Sequence, residues 1–182
     1  QREKGIVLYD LRSSCSVKEV IEEMGGKAMM CRVGHAFIKQ QMRDYKAIFA
    51  GELSGHYYFR DNYYTETSAM AVMCIANIIS KTGKKLSEIV APIVRYFASG
   101  EINSTVGDTN KVLERIKAKY KDGRMITLDG ISVEYKDWWF NVRSSNTEPL
   151  VRLNLEAKNK KLMEQKREEL LTSFRKRWNA ID

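Results

Sequence analysis

The sequence predicts an α/β protein in two parts: a layered α/β domain over residues 1–108 and a small α+β domain with an antiparallel sheet over residues 109–182. Three observations carry this. Strand and helix signals alternate from the start of the chain, as in a β-α-β unit. The run Val151, Leu153, Leu155, Ala157 sets apolar side chains on one face, with Arg152, Asn154 and Glu156 on the other, the period of a half-buried strand. Asp129-Gly130, between two β-prone runs, is a strong hairpin signal.

The elements follow in order. Gly5 to Tyr9 reads as strand, Ser16 as the cap of a short helix from Val17 to Met24, and Lys27 to Cys31 as the next strand. A helix from Ala36 to Arg43, a strand from Ala47 to Ala50 and another from Tyr57 to Phe59 follow. Two helices come next, Thr67 to Ser80 and Leu86 to Tyr96, broken at Thr82-Gly83. The stretch from Ser99 to Asn110 is poor in large apolar residues and bounded by glycines, which places the domain boundary there. Beyond it the pattern reads helix (Lys111 to Tyr120), strands (Met125 to Leu128, Ser132 to Tyr135, Trp138 to Val142), a polar loop, strand (Val151 to Ala157) and a long final helix.

Composition narrows the classes. The 182 residues are 43% hydrophobic, ordinary for a globular chain able to bury a core. Cys15, Cys31 and Cys74 are widely spaced and odd in number, which argues for reduced thiols and a cytoplasmic protein. No apolar run approaches the roughly 20 residues of a membrane span, and the start of the chain does not read as a signal peptide, so no membrane partner is expected. The net charge of +8 admits anionic partners. Much of the excess lies between Lys158 and Arg177, around an apolar stripe of Met163, Leu170, Leu171, Phe174 and Trp178, where it reads as a solvated helix surface rather than a nucleic-acid groove.

Two loops hold most of the chemistry. Arg143-Ser144-Ser145-Asn146-Thr147-Glu148-Pro149 combines a guanidinium, small hydrogen-bonding side chains and a turn able to aim backbone N–H groups inward, which suits a phosphate. Gly51-Glu52-Leu53-Ser54-Gly55-His56 follows a strand, where loops of open α/β sheets bind ligands. Glu52 beside Ser54 suits vicinal sugar hydroxyls; a capped turn is the competing reading. His35 and His56 each follow a glycine, and either fits a general acid or base, a cationic phosphate ligand, or an inert surface histidine. No H-E-x-x-H, cysteine cluster or D-x-D-x-D loop occurs, so no metal is expected on this chain. The absence of G-x-S-x-G and G-x-x-x-x-G-K-[ST] argues against a serine-elbow hydrolase and nucleotide hydrolysis.

Taken together, in this order along the chain, the Glu52 and Arg143 loops resemble the sugar-recognition and phosphate-binding loops of the α-D-phosphohexomutases, in particular the bacterial phosphomannomutase/phosphoglucomutase branch. Tyr9-Asp10-Leu11-Arg12, Arg32-Val33-Gly34-His35, Gly100-Glu101-Ile102-Asn103 and Asp129-Gly130-Ile131 are similar to weaker signatures of that family. The resemblance implies the third domain, N-terminally truncated and with a small mixed sheet, followed by the fourth. It implies that Glu52 and Ser54 bind O3 and O4 of a hexose, that Arg143, Ser144, Ser145, Asn146 and Thr147 grip the phosphate that is not reacting, and that His56, with His35 nearby, transfers protons. Arg12 stands where relatives often carry lysine and is expected as a cationic substrate-binding residue, and Arg152 is expected to support the phosphate loop.

The family's T-x-S-H-N-P phosphoserine loop and its D-G-D-x-D-R magnesium loop are not in the sequence. The expected partners are therefore mannose or glucose 1- or 6-phosphate and the missing N-terminal domains of the same protein, with Mg2+ bound by those domains and no cofactor on this chain. A stand-alone sugar-phosphate-binding module is the alternative.

Overall fold

The computed structural model describes residues 4–145 and 148–175. They form two compact units that divide between Arg95 and Tyr96.

The first unit carries strands β1 (Ile6–Asp10), β2 (Lys27–Cys31), β3 (Phe49–Gly51), β4 (Tyr57–Phe59) and β5 (Thr65–Glu66) and helices α1 (Cys15–Glu23), α2 (His35–Tyr45), α3 (Ser68–Thr82) and α4 (Leu86–Val90). The sheet runs β2-β1-β3-β4-β5, with β1 parallel to both β2 and β3 and the last two strands antiparallel. Register puts Leu8 beside Met29 and Ala50, and these meet Ile38 and Met42 of α2, with Cys31, Ala47 and Tyr58 completing the core. Burial pushes the Cys31 thiol up to about 12, with Asp10 and Glu52 adding to the effect, so it stays protonated. Among the described residues no disulfide forms and no helix is long and apolar enough to cross a membrane.

Three expectations are corrected in this unit. Ser14, not Ser16, caps α1, its side chain accepting from Ser16 N at 3.1 Å. The helix expected to reach Tyr96 stops at Val90, and a 3-10 turn over Ala91–Ile93 follows, because Pro92 has no N–H to continue the ladder. The short strand β5 lies outside the expected elements. Helix α3 starts at its Thr67 cap and ends at Gly83 in the left-handed region, yet none of its residues is buried.

The second unit carries β6 (Phe97–Thr105), α5 (Thr109–Lys119), β7 (Arg124–Ile126), β8 (Ile131–Glu134), β9 (Trp138–Ser144), β10 (Leu150–Ala157) and α6 (Lys160–Arg175). The sheet is antiparallel in the order β6-β10-β9-β8-β7. Val142, Phe140, Val151, Leu153, Leu155, Ile131 and Val133 face Val112 and Ile116 of α5 and Met163, Leu170 and Phe174 of α6 in one core.

The boundary expected between Ser99 and Asn110 falls inside this unit. Most of that stretch is β6, paired along β10, and the units divide at Arg95. Gly100 misled because its positive φ of 70° marks a bulge: Asn154 faces Glu101 but Glu156 faces Ala98, one extra residue on β6. Ser99 Oγ accepts from Leu155 N at 3.1 Å across that bulge. Strand β10 also departs from a half-exposed pattern. It lies between β6 and β9, so Asn154 and Glu156 are buried too, Glu156 accepting from Trp139 Nε1 at 3.0 Å.

Glu169 of α6 ties the two helices to each other. It pairs with Lys119 at 3.0 Å and Lys166 at 2.8 Å and accepts from Tyr120 OH at 2.9 Å. Burial pushes its carboxyl up, but the bonds from Lys166, Lys119 and Tyr120 outweigh this and bring it from 4.5 down to about 2. A depressed folded-state value gives stability that is present above pH 4.5 and is lost as pH falls toward about 2. Melting temperatures across that window should fall less steeply in Glu169→Gln than in the parent; parallel curves would show that Glu169 does not set the acid limb.

Candidate functional site

In the first unit the site forms where β1 and β3 end side by side. Asp10, the last residue of β1 and fully buried, accepts from Arg12 N (2.7 Å), Arg12 Nε (3.1 Å), Arg12 Nη2 (2.6 Å) and Leu53 N (3.0 Å). One carboxylate thus stitches the turn after β1 to the loop after β3. That loop closes on itself, with Glu52 N donating to His56 O and Gly55 N to Glu52 O, each at 3.0 Å. Gly55 has φ 84°, a turn that side chains with a Cβ rarely adopt.

Glu52 sits at the floor, its side chain 3% exposed. Tyr58 OH donates to its Oε1 at 2.5 Å, and Arg12 Nη2 lies 3.5 Å from its Oε2. Burial, then the bond to Glu52, raises the Tyr58 phenol above its ordinary range, so it remains a donor. With that proton committed to Glu52, the Tyr58 oxygen can accept from His35 Nδ1, 2.9 Å away. Register pairs Tyr58 with Glu66, so both face the same side, and Glu66 Oε2 reaches His35 Nδ1 at 3.2 Å and His56 Nε2 at 4.0 Å. His56 Nδ1 and Ser54 Oγ lie 2.9 Å apart, and the two imidazoles meet edge to face at 4.7 Å between centroids.

Glu52, Ser54, His56, His35 and Arg12 are therefore brought together. Arg12 is held by Asp10 and Glu52 and positions the floor carboxylate. Three members were given no role from the sequence: Asp10, although the Tyr9-Asp10-Leu11-Arg12 run was noted, Tyr58 and Glu66. A carboxylate ending an apolar strand was the available signal for Asp10; the other two depend on the pairing of β4 with β5.

In the second unit Arg143 lies on β9 opposite Arg152 of β10. Both reach Glu101 of β6: Arg143 Nη2 donates to Oε2 at 3.0 Å, and Arg152 Nη1 to Oε1 at 3.1 Å. Burial pushes the Glu101 carboxyl up, but bonds and charge from Arg143 and then Arg152 hold it below the usual glutamate range. One carboxylate between two guanidiniums leaves an excess positive charge. Arg143 Nε and Arg152 Nε are buried, and among the described residues neither has an acceptor. Gly130, φ 68°, lets the hairpin turn approach this arginine; a Cβ there would stand 2.6 Å from Arg143 Cβ and 2.4 Å from Val142 O.

Ser144 ends β9, and Ser145 N donates to Leu150 O at 2.9 Å, closing the loop's base. Asn146 and Thr147, expected at the loop's tip, lie outside the described residues. The partnership of Arg143 with Glu101 was not visible in the sequence, because a cross-strand register produces it.

Residues 1–96 match the family description "Phosphoglucomutase/phosphomannomutase, alpha/beta/alpha domain III", and residues 101–173 match the C-terminal domain of the same family. The chain belongs to the phosphoglucomutase/phosphomannomutase family. The two matched regions of that family follow the two units found in the fold.

A phosphomannomutase of Methanocaldococcus jannaschii is 48% identical over 164 residues, covering 90% of this chain and 36% of that protein. An Escherichia coli phosphomannomutase is 40% identical over 169 residues, covering 91% and 37%. Among solved structures, a phosphoglucomutase/phosphomannomutase family protein from Burkholderia thailandensis superposes with TM-score 0.80 at 26% identity, covering 93% of this chain and 37% of that one. The chain thus spans little more than a third of the length of these family members.

Proposed function

We propose that this chain is the C-terminal, substrate-recognising part of a phosphomannomutase/phosphoglucomutase, which moves a phosphoryl group between O1 and O6 of a hexose phosphate through a phosphoserine and a bisphosphorylated sugar. The observation that carries the reading is Glu52, a buried carboxylate fixed by Tyr58 and Arg12 with Ser54 and His56 beside it. Each carboxylate oxygen keeps a second lone pair, so Glu52 can accept from two vicinal hydroxyls, O3 and O4, while Ser54 gives or takes a third bond.

His56 is the proton carrier near the reacting oxygen, and His35, anchored by Tyr58, assists it. Arg143, Ser144 and Ser145, with Asn146 and Thr147, take the distal phosphate, Arg143 by two parallel hydrogen bonds. Phosphoryl transfer draws mostly on positioning and charge, which is what these residues supply. The serine donor and the Mg2+ loop are absent from the 182 residues, and both are assigned to the remainder of the full-length enzyme.

Helix α3 supports that partner. Val72, Met73, Ile75 and Ile78 are all exposed on it, and a helix apolar on several sides belongs in an interior. We place its contact with the missing domains of the same protein.

The test is turnover by the isolated chain supplied with Mg2+ and a hexose bisphosphate. The expected result is binding of glucose 1-phosphate without formation of glucose 6-phosphate. Interconversion by this chain alone would overturn the reading.

A further inference from the structure

His35 opens α2, Glu52 follows β3 and His56 precedes β4, yet one ligand atom from each lies within 4.8 Å of the other two. We propose that these three side chains form a binding site for a borderline transition-metal cation of the Zn2+ type, in the same place as the hexose hydroxyl contacts. Two imidazole nitrogens and one carboxylate oxygen are a donor set that favours such cations over Mg2+, which prefers oxygen alone.

The geometry is open and nearly assembled. Tetrahedral zinc with bonds of about 2.1 Å sets its donors about 3.4 Å apart, so the widest separation must close by roughly 1.4 Å. The floor need not move. Glu52 is 3% exposed and fixed by Tyr58, whereas the His35 and His56 side chains are 48% and 42% exposed and can rotate toward it. Glu66 Oε2, 3.2 Å from His35 Nδ1 and 4.0 Å from His56 Nε2, is within reach as a fourth donor, or leaves that position to water. The local charge favours a cation: Glu52 and Glu66 both bring carboxylates to the imidazoles, and the Arg12 guanidinium beside Glu52 is already neutralised by Asp10 at 2.6 Å.

A metal held by Glu52 takes lone pairs that the sugar reading assigns to O3 and O4, so it excludes hexose phosphate. This consequence rests on the proposed sugar-binding role; the metal site does not.

The test titrates the 182-residue chain with Co2+, followed by its visible absorption bands, and with Zn2+ by calorimetry. The parent is compared with His35→Gln, His56→Gln, Glu66→Gln and Cys74→Ser, with thermal melts confirming folding. The expected result is one equivalent of Co2+ with the intense bands of four-coordination, and Zn2+ affinity reduced about tenfold or more in each histidine variant, as for loss of groups that hold a metal site. Cys74→Ser and excess Mg2+ should change nothing. Unchanged Zn2+ affinity in both folded histidine variants, or its loss in Cys74→Ser alone, would overturn the site. Zinc binding at the histidines, with no hexose phosphate binding by the metal-free chain, would sink the sugar reading and leave the metal site standing; the opposite pair of results would do the reverse.

Discussion

Asp10→Ala is expected to destabilise the first unit by about 3–5 kcal/mol, the usual cost of removing one partner from a buried ion pair. The carboxylate is fully buried and receives four hydrogen bonds, three from Arg12 and one from Leu53 N. Its loss leaves a guanidinium that is 8% exposed without its nearest countercharge, and two backbone N–H groups without acceptors. Asp10→Asn keeps an acceptor for the backbone but loses the charge, so its cost should be smaller. Denaturant unfolding followed by circular dichroism measures both, and hydrogen exchange at the Leu53 amide localises the effect. A change in Asp10→Ala of less than about 1 kcal/mol, the range of an exposed pair, would show that the stitch is not structural.

Arg143→Ala should weaken binding of glucose 1-phosphate by about 2 kcal/mol or more, roughly thirtyfold in Kd. Only a planar fork meets two phosphate oxygens at once, so Arg143→Lys should recover little of the loss. The arginine is already aimed by Glu101, and Gly130 makes room for the turn beside it. Arg124→Ala is the control: that side chain is 71% exposed, paired with Glu134, and lies on edge strand β7, so its removal should leave binding unchanged. Equal affinities in Arg143→Ala and the parent would remove this residue from the site.

The two-part α/β and α+β architecture was legible because burial periodicity is written locally. Val151, Leu153 and Leu155 alternate whatever lies across from them, and Asp129-Gly130 announces its hairpin within two residues. Gly100 was misread because the same residue serves a linker and a bulge, and only pairing with β10 distinguishes them. In the site, Glu52, Ser54 and His56 share one short loop and could be found together. Glu66 and Tyr58 could not, since their part depends on a two-residue strand with little pattern of its own. The meeting of Arg143, Arg152 and Glu101 likewise arises from register across three strands.

The central proposal is that the Glu52 loop binds sugar hydroxyls and the Arg143 loop binds phosphate. A nitrogen–proton correlation titration of the 182-residue chain with glucose 1-phosphate, glucose and inorganic phosphate tests it most directly. The account predicts that glucose 1-phosphate shifts the amides of Leu53 to His56 and those of Arg143 to Ser145, with phosphate alone moving only the second set. Saturating glucose 1-phosphate that leaves the Leu53 to His56 amides in place would contradict it.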